Sequence, residues 1–345
     1  MNTKVICTLG PASDSPEMIR SLIKTGMNVA RFNCSHGTVE EQRAKIKRVK
    51  DARKALGTKT ILCLDTKGPD VRLGDFKEAV QIKEGQTFKF YFGDKYKDKI
   101  GDEHGVYVPY TKFYSIVKVG AQLCLNDGTL VMIVKEMKDN VITAEVKQGG
   151  TLKTRKALAA PGYDLQLPFI SEEDVADFKM GIEEGVDWIA ASCVSRTKDV
   201  TELREFLKKN GGSKIKIISK IEDRFGVKDL DGIVAASDGV MVARGGLGTD
   251  IPMDTLPAVQ KLIVEKTRAA GKIAIVATMM MESMINNPSP TRAEISDIAN
   301  AVWDGANCVM LSAETAAGKW PLKAVEYMVK AATDAEKHKE YMRVK

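Results

Sequence analysis

Residues 214–248 read KIKIISKIEDRFGVKDLDGIVAASDGVMVARGGLG, and the fold class turns on this stretch. An apolar, β-branched run from Lys214 to Glu222 leads into a polar turn and an amphipathic helical segment, and Gly239 then opens a second apolar run that ends at Ala243. Run, turn, helix, glycine and run again is the pattern of a βα unit. Working outward, the same unit recurs, with predicted strands Lys4–Leu9, Asn28–Asn33, Thr60–Asp65, Trp188–Val194, Lys214–Glu222, Gly239–Ala243, Ile273–Thr278 and Cys308–Ser312. Eight strands are what a (β/α)₈ barrel requires.

Helix starts obey the capping rules. Ser15 precedes Pro16, and the pairs Thr38 with Glu41 and Thr291 with Glu294 have capping-box spacing. Gly26, Gly57, Gly185, Gly271 and Gly305 supply stops.

One interval breaks the rhythm. After the third strand the chain has no long helical period until about Ser171. Phe88, Phe90 and Phe92 alternate with polar residues, and Leu123, Leu125, an Asn126-Asp127-Gly128 turn and the run from Leu130 to Val134 read as a hairpin. A small β domain is therefore expected at 73–162, between Pro69 and the Pro161-Gly162 pair, with the barrel formed by 1–72 and 163–345. An insertion at that end of a barrel strand faces the mouth and can serve as a lid. A barrel takes about 250 residues, so of 345 residues roughly 95 remain for the insertion.

Composition bounds the function. The chain is 44% hydrophobic and 28% charged, which excludes a disordered or fibrous protein. A net charge of +6 is too mild and too dispersed for a nucleic-acid surface, and the basic run Lys45 to Lys54 reads as a solvated helix face. No apolar run suits a membrane span and the N-terminus has no signal-peptide plan, so a cytoplasmic location is expected. Six cysteines without CxxC spacing read as reduced, mostly buried thiols, and three histidines give no metal cluster.

In a barrel the residues just past each strand converge on one mouth. Here they include Arg31, Asn33, Ser35, His36, Asp65, Thr66, Lys220, Glu222, the Arg244-Gly245-Gly246-Leu247-Gly248 loop, Thr278 and Glu314. Arg31 and Lys220 present fixed positive charge, Glu222 a hard oxygen ligand, and the glycine loop backbone N–H groups. Such a set suits a phosphorylated carboxylate plus a divalent cation. The bland alternatives are a Lys220/Glu222 surface pair, a glycine loop that only closes a turn, His36 as a helix cap, and Met279–Met281 as packing.

The motifs CTLGPAS (7–13), GMNVARFNCSHG (26–37), LDTKGPDVR (64–72), SKIED (219–223), SDGVMVARGGLG (237–248), ESM (282–284), PTRAEISDIANAVWDGAN (290–307) and MLSAETAAG (310–318) follow one another in order. In these the chain resembles the pyruvate kinase family over almost its whole length. The resemblance implies a barrel interrupted after its third strand by a small β domain. It also implies phosphoryl transfer from phosphoenolpyruvate to ADP, giving pyruvate and ATP, with Mg²⁺ (or Mn²⁺) and K⁺. By the same resemblance, Arg31, Lys220 and Thr278 are catalytic, and Ser192 with the N–H groups of Gly245, Gly246 and Leu247 binds substrate. Glu222 holds Mg²⁺; Asn33, Ser35, Asp65 and Thr66 hold K⁺; Arg72, His36 and Asn33 meet the nucleotide.

The chain departs from the family pattern at Gly246, where an aspartate ligand of Mg²⁺ is usual, so weaker metal binding is expected. Cys34, Met279, Ile295, Ala313 and Ala317 depart as well. The family's C-terminal allosteric domain is expected to be absent and the barrel to pair as a homodimer. The alternatives in function are a non-catalytic phosphoenolpyruvate- or nucleotide-binding relative and a 2-oxo acid decarboxylase using the same enolate site.

Overall fold

A computed structural model describes residues 2–126, 128–338 and 340. Eight parallel strands, Lys4–Thr8, Met27–Asn33, Ile61–Asp65, Trp188–Ala191, Lys216–Ile221, Gly239–Ala243, Ile273–Ala277 and Cys308–Leu311, close into a barrel. Each pairs with its neighbours in chain order. Closure is made by the first and eighth strands, with Lys4 opposite Cys308 and Cys7 opposite Leu311. Alternate residues fill the interior, among them Ile6, Val29, Cys63, Ala190, Ile218, Met241, Ile275 and Met310, as a packed parallel barrel demands.

The expected caps form. Ser15 Oγ accepts the Met18 N–H ahead of helix Pro16–Thr25, while Thr38 with Glu41 and Thr291 with Glu294 make reciprocal capping boxes. Gly57 at φ 63° and Gly305 at φ 102° end helices Val39–Leu56 and Arg292–Asp304 in a conformation that a side chain would strain.

Several strands stop short of the expected ends, each for a local reason. The fourth ends at Ala191 because Cys193 turns to φ 57° and aims its N–H at Glu222. The seventh ends at Ala277 because Thr278 and Met279 take φ 69° and 54°. The fifth starts at Lys216, since the Ile215 N–H closes a turn on Gly212. The glycine loop is also not open: Arg244–Asp250 is helical from its first residue. Of the cysteines, Cys193 is half-buried and the other five are buried, all with free thiols. Burial raises the Cys308 thiol to about 12, which suits inert core residues.

The chain divides into two compact units. The barrel is Met1–Gly68, Phe169–Leu247 and Asp254–Lys345; the second is Pro69–Pro168 with Gly248–Met253. In the second unit a curled seven-stranded sheet runs in the order Val71–Arg72, Ala157–Ala159, Gln122–Leu125, Leu130–Lys138, Val141–Gln148, Thr87–Tyr91, Gly105–Tyr107. Phe88, Phe90 and Phe92 are buried with Phe113, Leu123, Leu130 and Val134 in its core. Gln122–Leu125 and Leu130–Lys138 pair antiparallel with Leu125 opposite Leu130; Asp127, in the expected turn between them, lies outside the described residues. Among the described residues no helix is long and apolar enough to cross a membrane.

Candidate active site

Asp65, the last residue of the third strand, is the centre of the mouth. Its Oδ2 accepts from Arg31 Nε at 2.6 Å and its Oδ1 from Lys220 Nζ at 2.9 Å. All three side chains are buried. Parallel register brings them together: Arg31 lies on the second strand beside Cys63, two residues before Asp65, and Lys220 rises on the fifth strand.

Lys220 Nζ also donates to Ser192 Oγ at 2.6 Å and lies 3.1 Å from Glu222 Oε1. The Ser192 hydroxyl donates to the Thr66 carbonyl at 2.6 Å, and the Ser192 N–H donates to Thr66 Oγ1 at 3.1 Å. Arg31 Nη1 is held by Thr8 Oγ1 at 2.8 Å, and Thr8 in turn donates to the Leu311 carbonyl of the eighth strand at 2.9 Å.

Burial alone would drive the charge off both cations. For Lys220 the fields of Asp65 and Glu222 outweigh desolvation and raise its pKa; for Arg31, Asp65 does the same. Conversely, burial opposes the Asp65 carboxylate, but Arg31 and Lys220 overcome it and hold its pKa below the usual range. Lys220 is therefore a permanent ammonium and not a proton acceptor near neutral pH. The cluster is two fixed cations sharing two carboxylates, Asp65 between them and Glu222 beside Lys220.

Glu222, just past the fifth strand, is fixed from the far side. Its Oε2 accepts the Cys193 N–H at 2.8 Å and faces Cys193 Sγ at 3.2 Å. A Cβ built on Gly246 would meet Glu222 Cβ at 3.0 Å, so any side chain at 246 would stand against this carboxylate. Among the described residues no three His, Cys, Asp or Glu side chains come together as a metal site. A single hard carboxylate still fits Mg²⁺, which keeps waters and takes substrate phosphate oxygens.

The set proposed for K⁺ is all oxygen, which suits a hard cation. Asn33 Oδ1 there accepts the Ser35 N–H at 3.2 Å, and both Asp65 oxygens already face cations.

Thr278 caps the seventh strand in a left-handed conformation. Its Oγ1 accepts the Gly245 N–H at 2.8 Å and donates to the Ala277 carbonyl at 2.5 Å. Arg244 buttresses it: Nη2 and Nε reach the Thr278 carbonyl at 2.6 and 3.0 Å, while Nη1 grips Asp297 at 2.8 and 2.9 Å. A non-glycine residue at positive φ costs energy and persists only where its surroundings fix it; these bonds do so. Leu247 buries its side chain beneath the turn.

Thr278, Arg31, Asn33 and His36 border one cavity of about 560 Å³ in the barrel unit. Ser35 and His36 are exposed, and His36 contributes its carbonyl to Gln42 Nε2. Arg72 belongs to the second unit, where it pairs with Asp70 at 2.7 Å and donates to the Arg155 carbonyl at 3.1 Å.

Sequence reasoning missed Thr8, Cys193 and the Arg244–Asp297 pair as positioning residues. Thr8 had one available signal: in parallel register it lies directly beside Arg31.

Fold and site together define a (β/α)₈ barrel whose mouth gathers Arg31, Asp65, Lys220 and Glu222. The family model described as "Pyruvate kinase, barrel domain" matches residues 1–325. The chain is 43% identical over 340 residues to the pyruvate kinase of Clostridium perfringens, covering 98% of this chain and 71% of that protein. It is 42% identical over 342 residues to that of Geobacillus stearothermophilus, covering 98% and 58%, and 42% over 343 residues to that of Thermotoga maritima, covering 99% and 72%. The chain belongs to the pyruvate kinase family. It spans 58% to 72% of the length of these three relatives.

Proposed function

We propose that this barrel transfers the phosphoryl group of phosphoenolpyruvate to ADP, giving pyruvate and ATP, with Glu222 as the one carboxylate ligand of Mg²⁺. The observation that carries the reading is the buried Arg31–Asp65–Lys220 cluster, with Glu222 3.1 Å from the lysine. Phosphoryl transfer asks little covalent chemistry of a protein; it asks for positioning and for fixed positive charge around a loose, highly charged transition state. Arg31 and Lys220 meet that need because Asp65, Thr8 and Ser192 hold them before substrate arrives, so little reorganisation is left to the reaction. Mg²⁺ bound at Glu222 would add Lewis-acid stabilisation of phosphoryl and enolate oxygens.

Asn33, Ser35, Asp65 and Thr66 are assigned to K⁺, and Arg72, His36 and Asn33 to the nucleotide. The substrate carboxylate is assigned to the Gly245–Leu247 turn, which Thr278 anchors. After transfer the enolate must gain a proton at carbon. The Thr278 hydroxyl is the group assigned to that step, its proton replaced from water.

A coupled assay with phosphoenolpyruvate, ADP, Mg²⁺ and K⁺ tests the reading, and turnover is expected. No turnover, at high Mg²⁺ or with Mn²⁺ in its place, sinks it. One observation favours a second reading: Gly246 adds no carboxylate beside Glu222, as in a relative that binds its ligands without turning them over. Calorimetry separates the two, because binding of phosphoenolpyruvate or ADP without turnover belongs only to the second.

A further inference from the structure

Helix Val39–Leu56 carries a row of cations, and nearly all are neutralised by neighbours. Arg43 pairs with Glu183 and Glu184, Lys47 with Asp51, Arg48 with Asp14, Lys50 with Glu184 and Arg53 with Asp187. Lys45 and Lys54 form no ion pair among the described residues, but Lys54 is exposed, whereas Lys45 is half-buried and borders the 560 Å³ cavity that also holds Arg31 and Thr278.

The cavity wall contains no aspartate or glutamate, and Ala313, Ala316 and Ala317 leave its other side small and uncharged. No lining carboxylate opposes an anion entering there. Arg31 is already committed, with Nε on Asp65 and Nη1 on Thr8. Lys45 is thus a cation on this wall whose charge the protein itself leaves uncompensated. A half-buried ammonium in that position gains most from a phosphate oxygen, through a charge-assisted hydrogen bond in a partly desolvated setting.

We propose that Lys45 is a specificity-determining residue for the phosphoryl acceptor. Its ammonium binds a phosphate of the nucleoside diphosphate, so that acceptors are selected by negative charge at that end of the cavity. The assignment rests on the phosphotransferase reading above for its kinetic arm only.

The test compares Lys45→Ala and Lys45→Arg with the unaltered protein. Alanine is the best helix former, so the helix survives the exchange, which thermal unfolding verifies. Loss of one charge-assisted contact is expected to raise the KM for ADP about tenfold, with kcat and the KM for phosphoenolpyruvate unchanged, while the arginine variant stays within about threefold of the parent because it keeps the cation. An unchanged KM for ADP, or an equal rise for both substrates, overturns the proposal.

Calorimetric titration with ADP alone is the second arm, with about tenfold weaker binding expected in Lys45→Ala. If the parent protein binds ADP in a Lys45-dependent way but does not turn over, the phosphotransferase reading falls and the Lys45 assignment stands. Turnover with a Lys45-independent KM gives the reverse. Neither turnover nor ADP binding overturns both.

Discussion

Replacing Asp65 by asparagine keeps the shape of the side chain and removes its charge. The consequence follows from its position: the carboxylate is 1% exposed, 2.6 Å from Arg31 Nε and 2.9 Å from Lys220 Nζ. Without it two buried cations face each other, with Glu222 beside Lys220 as the remaining counter-charge. Breaking a buried pair by removing one partner costs about 3–5 kcal/mol, because an uncompensated charge stays behind. A unit of this size loses about 2–4 °C of Tm per kcal/mol, so Asp65→Asn should unfold roughly 6–20 °C lower in a thermal scan at pH 7. Turnover should fall on the order of 10²-fold, since Arg31 loses its anchor and small misplacements of a positioning group have that effect. Adding Lys220→Met to Asp65→Asn should recover part of the lost stability, because it removes one stranded cation, while lowering turnover further, because that cation belongs to the proposed phosphoryl site. A drop in Tm below about 2 °C, or a double variant less stable than the single, would refute the view that Asp65 neutralises these cations.

Three further outcomes are expected. Gly246→Asp would place a carboxylate against Glu222, its Cβ 3.0 Å from that of Glu222; two such charges about 5 Å apart repel by about 3 kcal/mol at an effective dielectric near 20. The variant should therefore melt lower without metal and require at least about tenfold less Mg²⁺ for half-maximal turnover, and an unaltered metal titration counts against this account of position 246. Thr8→Val removes the acceptor for Arg31 Nη1 at 2.8 Å; kcat should fall about tenfold with the fold intact, the cost of one lost hydrogen bond to a charged group, whereas parental kcat would show that Asp65 alone positions the guanidinium. Glu184, whose pKa is lowered by Lys50 and Arg43, stabilises the fold above the pKa of an unfolded glutamate, and that contribution is lost as pH falls through its lower folded value. Glu184→Gln should accordingly cost less than about 1 kcal/mol at pH 7, less again in 1 M salt, and nothing near pH 2; a penalty that persists in acid would mean packing and not charge is responsible.

What was legible in the sequence was what local periodicity encodes. Phe88, Phe90 and Phe92 lie on one face because a strand repeats every two residues, and all three are in the core. Ser15, Thr38 and Thr291 begin helices because a short hydroxyl can satisfy an N–H three residues on. The barrel followed from counting runs. What escaped depends on closure, which no window along the chain contains. Thr8 and Leu311 are separated by 303 residues and meet only because the first and eighth strands pair, so nothing local to Thr8 shows the carbonyl that fixes its hydroxyl.

The strand ends escaped for a related reason. Cys193 and Thr278 belong to runs that read as extended, yet both turn to positive φ, because Glu222 receives the Cys193 N–H and because Arg244, fixed by Asp297, holds the Thr278 carbonyl. Tertiary hydrogen bonds there override local preference at the rim of the barrel, where side chains must be aimed at one point. Lys45 follows the same logic in reverse. Arg43, Lys50 and Arg53 found carboxylates on adjacent segments and became structural, whereas the cavity lining offers Lys45 none, and a half-buried charge left uncompensated there is the mark of a group kept for a ligand.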